Sequence, residues 1–362
     1  MGEEMSDIEI LTSARVHDKQ VGGNTRYVRE VYARLTALGG ETRFLRIPKN
    51  LDQHRLRSPA YAVFESWIWP SLLKPQSGRV MHFPADTGGL RRSRVPVVGT
   101  IHGLATLHVP DVRSGGADRL WRFRVRGLAR VADKIITVSE SSAEDIISFA
   151  PETIGRVEVV PHGINHDVFN TRSLGTFSEE NRHRLGVPAS YFLYAGNIEP
   201  RKNIPALIDA AESVFRTTGV PLVISGAPAW DSDAIMSKLR ASRGVIYVGR
   251  TDDDQLVSLM QNAVAFCFPS HYEGFGFPVL EAMACGSPVI CSTRGSLRSV
   301  AARGALALDD ISAESIEGAM MAVLEDDDLR SRLISDGLKH VSGFTWESSA
   351  TRHMEIFREV AA

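Results

Sequence analysis

Short β-rich runs alternate with helix-period patterns along almost the whole chain, and this alternation constrains the fold more than any other feature. Runs rich in Val, Ile, Leu and Phe over 8–14, 79–83, 97–101, 134–138 and 157–160 read as strands, and 25–38 reads as a helix. Strands separated by helices join in parallel, so the pattern predicts an α/β fold. A second series opens at 191–195 and continues through 221–225, 245–248, 264–268 and 288–291. Two series predict two doubly wound parallel sheets, and 362 residues are enough for two domains. The polar stretch 170–181 fits a connection between them, and 346–360 reads as a closing helix. The expected division is a first domain over 1–170, a second over 171–345, and a terminal helix over 346–362.

Charge and cysteine usage narrow the setting. Hydrophobic residues at 43% and charged residues at 23% are those of an ordinary globular protein, neither a disordered chain nor a membrane bundle. Net charge is −2, divided as 23 Lys/Arg against 19 Asp/Glu over residues 1–170 and 18 against 24 over the remainder. The first half is slightly basic, which leaves open a peripheral contact with an anionic lipid surface. Cys267, Cys285 and Cys291 sit in or beside apolar runs without metal-ligand spacing, as expected of buried free thiols in a reducing compartment. No apolar run reaches the ~18–20 residues needed to span a bilayer. Met1-Gly2-Glu3-Glu4-Met5-Ser6 matches a myristoylation pattern, but its acidic residues and the lack of a second membrane signal favour a chance match. The expected location is the cytoplasm, with the inner face of the membrane as the peripheral alternative.

Chemistry concentrates in one stretch, Ser270-His271-Tyr272-Glu273-Gly274-Phe275-Gly276-Phe277-Pro278-Val279-Leu280-Glu281. A helix is expected to start at Pro278, and the open N–H groups of the preceding turn attract anions, phosphate above all. Carboxylates repel phosphate, so Glu273 and Glu281 are read as acceptors for hydroxyls. Phosphate donors beside hydroxyl acceptors describe a sugar-nucleotide site. Taken alone, the two glutamates are better explained by a turn cap at Glu273 and a solvated helix face at Glu281, and it is the rest of the chain that reverses this.

Other motifs carry weight by position. Glu199-Pro200-Arg201-Lys202-Asn203 follows the first strand of the second series. It puts a guanidinium fork beside a compact ammonium, a combination suited to a diphosphate, with a solvated basic turn as the plain alternative. Gly22-Gly23 follows the first strand, where a backbone can approach phosphate closely or merely turn. His102 ends a strand and could meet sugar hydroxyls, or simply pack. His162-Gly163 reads as scaffold and hinge. The Asp-x-Asp spacings in Thr251-Asp252-Asp253-Asp254 and Glu325-Asp326-Asp327-Asp328 each precede a helical pattern, which favours capping over a metal. Arginines interleaved with aromatics over 119–126 form too short a track for nucleic acid and read as an amphipathic surface helix of the first domain. Residues 64–69 read as a packed helix.

In this order the motifs resemble the retaining glycosyltransferases of GT-B fold, the glycogen-synthase-like family four, and within it the bacterial surface-polysaccharide mannosyltransferases. The carrying residues are Gly22-Gly23-Asn24-Thr25-Arg26-Tyr27, Ile136-Thr137-Val138-Ser139-Glu140-Ser141, Val160-Pro161-His162-Gly163, the Glu199–Asn203 loop, Glu273 with Glu281, and Phe344-Thr345-Trp346. The resemblance implies two Rossmann-like domains facing a cleft, with the terminal helix crossing back to the N-terminal domain. It further implies a metal-independent retaining hexosyltransferase that forms an α-linkage by front-face displacement, without a resident cofactor. By resemblance, Glu281 accepts from the ribose and Glu273 from the donor sugar, while Gly274, Phe275, Gly276 and Phe277 meet sugar or phosphate oxygens. Arg201 and Lys202 neutralise the leaving diphosphate, Gly22 and Gly23 close over it, and His102 touches the sugar.

Departures from the family pattern are Asn197 in place of an arginine, Gly103 in place of an aspartate, and Gly295-Ser296-Leu297-Arg298-Ser299-Val300 without the usual Pro-Glu. The expected partners are a nucleotide-diphosphate sugar, GDP-mannose first, and a glycan, lipid-linked or small-molecule acceptor, with no nucleic acid; the oligomeric state is left open. The alternatives are a sugar-nucleotide epimerase on the same fold and a catalytically silent nucleotide-sugar-binding homologue.

Overall fold

The computed structural model describes residues 8–18, 22–52, 56–109, 115–172 and 183–362. The myristoylation pattern and most of the polar stretch 170–181 lie outside them. The chain forms two compact units, one reaching Gly163 and completed by Thr345–Ala362, the other Ile164–Phe344.

The first unit is built on β1 (Ile8–Ser13), β2 (Gly40–Leu45), β3 (Arg79–Phe83), β4 (Val97–Thr100), β5 (Lys134–Thr137) and β6 (Val157–Val159). These form one sheet in the order β2-β1-β3-β4-β5-β6, and every pairing is parallel. The strand order reverses beside β1, because the chain moves outward to β2 and then returns to lay β3 on the other side. In open α/β sheets that reversal opens a crevice at the carboxyl ends of the two strands.

The helix after β1 spans Gly23–Leu35 and buries Tyr27, Val28, Val31, Tyr32 and Leu35, an i, i+4 face toward the sheet. It stops short of the predicted 38 because a 3-10 turn, Thr36–Leu38, tightens the end and Gly39 closes it at φ +85°. The span 64–69 is a π-helical turn, Phe64–Ile68, rather than a regular helix.

The terminal helix Trp346–Ala361 packs on the Gly23–Leu35 helix and on β1, β3 and β4. Thr345 caps it by accepting from Ser348 N at 3.1 Å. A polar chain holds it down. His353 Nδ1 donates to the Ser349 carbonyl at 2.7 Å, so Nε2 accepts from the Tyr27 hydroxyl at 2.8 Å. Thr100 then donates to Tyr27 at 3.0 Å, and His82 Nε2 lies 2.8 Å from the Thr100 hydroxyl. Tyr32, 2.7 Å from His82 Nδ1, closes the chain. Burial drives the imidazoles of His82, His162 and His353 well toward the neutral form, His353 to about 4. Gly163 lies so close to the backbone of Thr345 and Trp346 that no side chain fits there.

The second unit repeats the plan with β7 (Phe192–Ala195), β8 (Leu222–Ser225), β9 (Val245–Gly249), β10 (Ala265–Phe268), β11 (Val289–Ser292) and β12 (Leu306–Leu308). Its parallel sheet runs β12-β11-β10-β7-β8-β9 and reverses between β7 and β10. β7, β8, β10 and β11 are buried at every residue, which matches their near-continuous apolar sequences. Two edge strands, β2 and β12, escape the sequence reading. One is a Glu-Thr-Arg run and the other a three-residue Leu-Ala-Leu, too polar or too short to stand out.

Candidate active site

The loops after β7 and β10 meet at the reversal of the second sheet, and they carry Arg201, Lys202 and Glu273. Pro200–Lys202 forms a single 3-10 turn, and Asn203 follows at φ +55° before the helix Ile204–Thr218 begins. The His271 amide donates to the Arg201 carbonyl at 2.9 Å, tying the two loops together.

Glu273 is buried and takes both cations. Its Oε1 accepts from Lys202 Nζ at 2.6 Å and its Oε2 from Arg201 Nη1 at 2.8 Å. Arg201 Nη1 also donates to the Tyr272 carbonyl at 2.7 Å, while its Nε and Nη2 donate to Glu199 Oε1 at 3.0 and 2.5 Å. The result is a four-membered cluster of two carboxylates and two cations with no net charge. Burial by itself would raise the Glu273 carboxyl, but Lys202 and Arg201 outweigh it and hold the group below its ordinary value. Burial lowers the Lys202 ammonium from its ordinary value, an effect Glu273 partly offsets. For Arg201 burial acts in the same sense, and Glu273 with Glu199 overcome it, raising the guanidinium further. Glu273 and Arg201 are therefore both held in their charged forms in a site with little water, where their fields are strong. Lys202 Nζ also lies 4.8 Å from the Phe268 ring centroid.

The helix Phe277–Ala284 begins one residue earlier than expected, so Pro278 takes its second position, where the amide is equally unused. Gly276 is its N-cap at φ +100°, no side chain caps it, and a Cβ there would strike Leu297 Cδ2 at 2.7 Å. Gly274, Phe275 and Gly276 lie between Glu273 and the helix, and Phe277 is its first residue. Glu281 lies in the helix's second turn and is 5% exposed, so the solvated-face reading does not hold for it.

The sequence reading missed three supports of this loop. Glu199 anchors Arg201. Ser296 donates its amide to the Glu273 carbonyl at 2.9 Å and its hydroxyl to the Phe275 carbonyl at 2.8 Å. Gly295, at φ +60°, lets that segment approach; a Cβ would lie 2.5 Å from the Glu273 carbonyl oxygen. The 295–300 segment lacks the family's Pro-Glu, and Ser296 braces the turn there instead.

His102, Gly22 and Gly23 belong to the first unit. The His102 amide donates to Asp86 Oδ1 at 2.8 Å, and its ring Nε2 donates to the Pro84 carbonyl at 2.9 Å. A carbonyl only accepts, so a neutral His102 keeps Nδ1 as its acceptor. Gly22 is the N-cap of the Gly23–Leu35 helix at φ +118°, with space around its α-carbon.

The acidic runs act as caps. Asp252 accepts from Gln255 N at 2.8 Å within a full capping box, and Asp326 accepts from Leu329 N at 2.8 Å. Among the described residues no group of His, Cys, Asp and Glu could hold a metal ion. The three cysteines are buried free thiols, which burial pushes up, Cys285 and Cys291 to about 12.

Two doubly wound parallel sheets, each with loops gathered at its strand reversal, define a glycosyltransferase of GT-B class. The Glycosyltransferase Family 4 model matches residues 21–168 and the Glycosyl transferases group 1 model matches 177–340, and the chain belongs to this family. It is 29% identical over 266 residues to O-antigen chain mannosyltransferase B of Escherichia coli, covering 72% of this chain and 70% of that protein. It is 28% identical over 332 residues to the D-inositol 3-phosphate glycosyltransferase of Acidothermus cellulolyticus, covering 86% of this chain and 70% of that one. In fold it matches Anabaena HepE, solved in complex with UDP-glucose, with a TM-score of 0.72 at 16% identity over 97% of this chain and 100% of that one.

Proposed function

We propose that the protein is a retaining, metal-independent hexosyltransferase that moves mannose from GDP-mannose to a hydroxyl of a glycan, lipid-linked or small-molecule acceptor, forming an α-linkage. The observation that carries this is the buried Glu199–Arg201–Glu273–Lys202 cluster at the strand reversal of the second sheet. Arg201 and Lys202 stabilise the diphosphate as it leaves. Glu273 fixes both cations and accepts a sugar hydroxyl, and Glu281 accepts from the ribose. Gly274, Phe275, Gly276 and Phe277 meet sugar or phosphate oxygens, and Gly22 and Gly23 meet phosphate. The acceptor oxygen bonds to the anomeric carbon on the face from which the phosphate departs. The C1–O bond to phosphate breaks and a phosphate oxygen takes the acceptor proton. Side chains then contribute positioning and charge stabilisation. His102, with Nδ1 as acceptor, orients sugar hydroxyls. Similarity to an O-antigen mannosyltransferase supports mannose as the sugar.

Incubation with GDP-mannose and candidate acceptors tests this reading. GDP release that requires an acceptor, survives a chelator and yields an α-anomer by NMR supports it. Turnover without any acceptor would indicate the epimerase, and donor binding without turnover the silent homologue.

No helix among the described residues is long and apolar enough to cross a membrane. A peripheral contact rests instead on the first unit, whose helix Gly115–Val131 exposes Leu120 and Phe123 by 61% and 62% among Arg119, Arg126 and Arg130. Flotation with vesicles containing anionic lipid, lost in Leu120→Asp/Phe123→Asp, is the expected result.

A further inference from the structure

His102 stands two residues beyond β4, and the strands on either side hold its backbone. The Asp86 amide donates to the Thr100 carbonyl at 2.8 Å, the Ile101 amide to the Ile136 carbonyl at 2.9 Å, and the Thr137 hydroxyl to the Ile101 carbonyl at 2.7 Å. A fixed backbone still leaves the imidazole two torsions. The bond from Nε2 to the Pro84 carbonyl selects one orientation, and a half-turn of the ring would put a carbon there instead.

Two rings pack against that orientation. Tyr27 meets His102 edge to face, with centroids 4.9 Å apart and planes at 79°, and His162 lies tilted at 5.3 Å. Tyr27 is itself 1% exposed and is pinned at its far end. Its hydroxyl lies 2.8 Å from His353 Nε2 on the terminal helix and 3.0 Å from the Thr100 hydroxyl. The Ser349 carbonyl orients His353, and His82 stands 2.8 Å behind Thr100. Thr100, His82 and His353 are fully buried.

So many polar groups are more than packing requires. Apolar side chains of the same shapes would serve stability about as well, because a buried hydrogen bond gains little over an apolar pair. A satisfied polar network adds one defined arrangement, since each hydroxyl and imidazole bonds only in certain directions. Here that arrangement ends on the ring that touches His102.

We propose that Tyr27 and His353 are positioning residues for sugar transfer: the terminal helix, through His353, pins the Tyr27 ring, and that ring holds His102 with Nε2 on Pro84 and Nδ1 as the acceptor for a sugar hydroxyl. The proposal rests on the role given to His102 above. Tyr27 also lies on the helix that starts at Gly23, so an effect passed through the Gly22–Gly23 turn would change donor binding rather than the chemical step.

Hydrolysis of GDP-mannose, followed as GDP release, and imidazole nitrogen NMR of histidine-labelled protein test it together. Tyr27→Phe and His353→Leu should each lower kcat about tenfold or more, with KM for GDP-mannose within about twofold of the wild type. His353→Gln, which can place an acceptor oxygen near the lost Nε2, should retain most of the rate. In a His102→Ala background neither substitution should lower kcat further, whereas a merely structural loss would add. At alkaline pH the His102 signals, assigned by their disappearance in His102→Ala, should show the Nε2–H tautomer in the wild type and a mixture in Tyr27→Phe and His353→Leu. GDP binding shows that each variant is folded. Unchanged His102 signals in both variants overturn the proposal, as does a raised KM at constant kcat or a loss that persists without His102. Wild-type hydrolysis in His102→Ala, or none in any protein, would count against the role of His102 instead, and the spectra would still decide the positioning.

Discussion

Replacing Lys202 by methionine removes the ammonium 2.6 Å from Glu273 Oε1 and keeps the stem that packs near Phe268. Both side chains are almost sealed from water, at 8% and 9% exposure, so the carboxylate left behind has little hydration to fall back on. Breaking a buried pair from one side costs about 3–5 kcal/mol. Arg201 Nη1, still 2.8 Å from Oε2, keeps the loss near the lower end, about 3 kcal/mol. For a unit of this size that is a fall of roughly 6–12 °C in the melting temperature. Glu273→Leu should cost a comparable amount by stranding Lys202. The double variant Lys202→Met/Glu273→Leu discards both charges and leaves the Arg201–Glu199 pair intact, so it should lie within about 1 kcal/mol of the wild type. Urea denaturation at pH 7, read on the transition of the second unit, measures the cycle. Single variants that lose less than about 1 kcal/mol, or a double variant that loses their sum, would refute the buried-pair reasoning.

Acid should act on the two units for different reasons. In the first, the folded state depresses the imidazoles of His82, His162 and His353 below the ordinary 6.5. The unfolded chain then binds more protons, so stability is complete above 6.5 and falls as the pH drops below it; a melting-temperature profile flat from pH 8 to 5 would contradict this. In the second, the folded carboxyl of Glu273 lies below its ordinary 4.5, so its contribution is present above that pH and fades as the pH falls through the lower folded value. Gly295→Ala places a Cβ 2.5 Å from the Glu273 carbonyl oxygen at φ +60°, and a loss of about 1–3 kcal/mol with a larger proportional loss of turnover is expected from denaturation and donor-hydrolysis assays. Gly318→Ala, in the helix Ala313–Glu325 with open space around it, should instead stabilise by roughly 0.5–1 kcal/mol.

What the sequence made legible follows its physical contrast. Strands such as β7, β8 and β10 are short apolar runs between glycine-rich or polar segments, and buried parallel strands leave that signature. β2 is half-exposed and carries Glu41, Thr42 and Arg43, so its pairing with β1 is set by the fold rather than by its own pattern. At the site, Glu273, Arg201 and Lys202 could be found because acids and bases in loops after strands have few structural uses. Their mutual bonding could not, since it depends on two loops 71 positions apart meeting beyond neighbouring strands. Ser296 was invisible for the same reason: a serine in a polar loop looks ordinary until its partners are in place.

The central claim is that the second unit grips a nucleotide-diphosphate sugar through its buried charge cluster. Calorimetric titration of GDP-mannose into the wild type and the Lys202→Met/Glu273→Leu variant tests it most directly. Binding in roughly the micromolar range by the wild type, weakened at least tenfold in a variant that remains folded, is the predicted result. Equal affinity in the two proteins, or no binding of GDP-, UDP- or dTDP-sugars by the wild type, would contradict it.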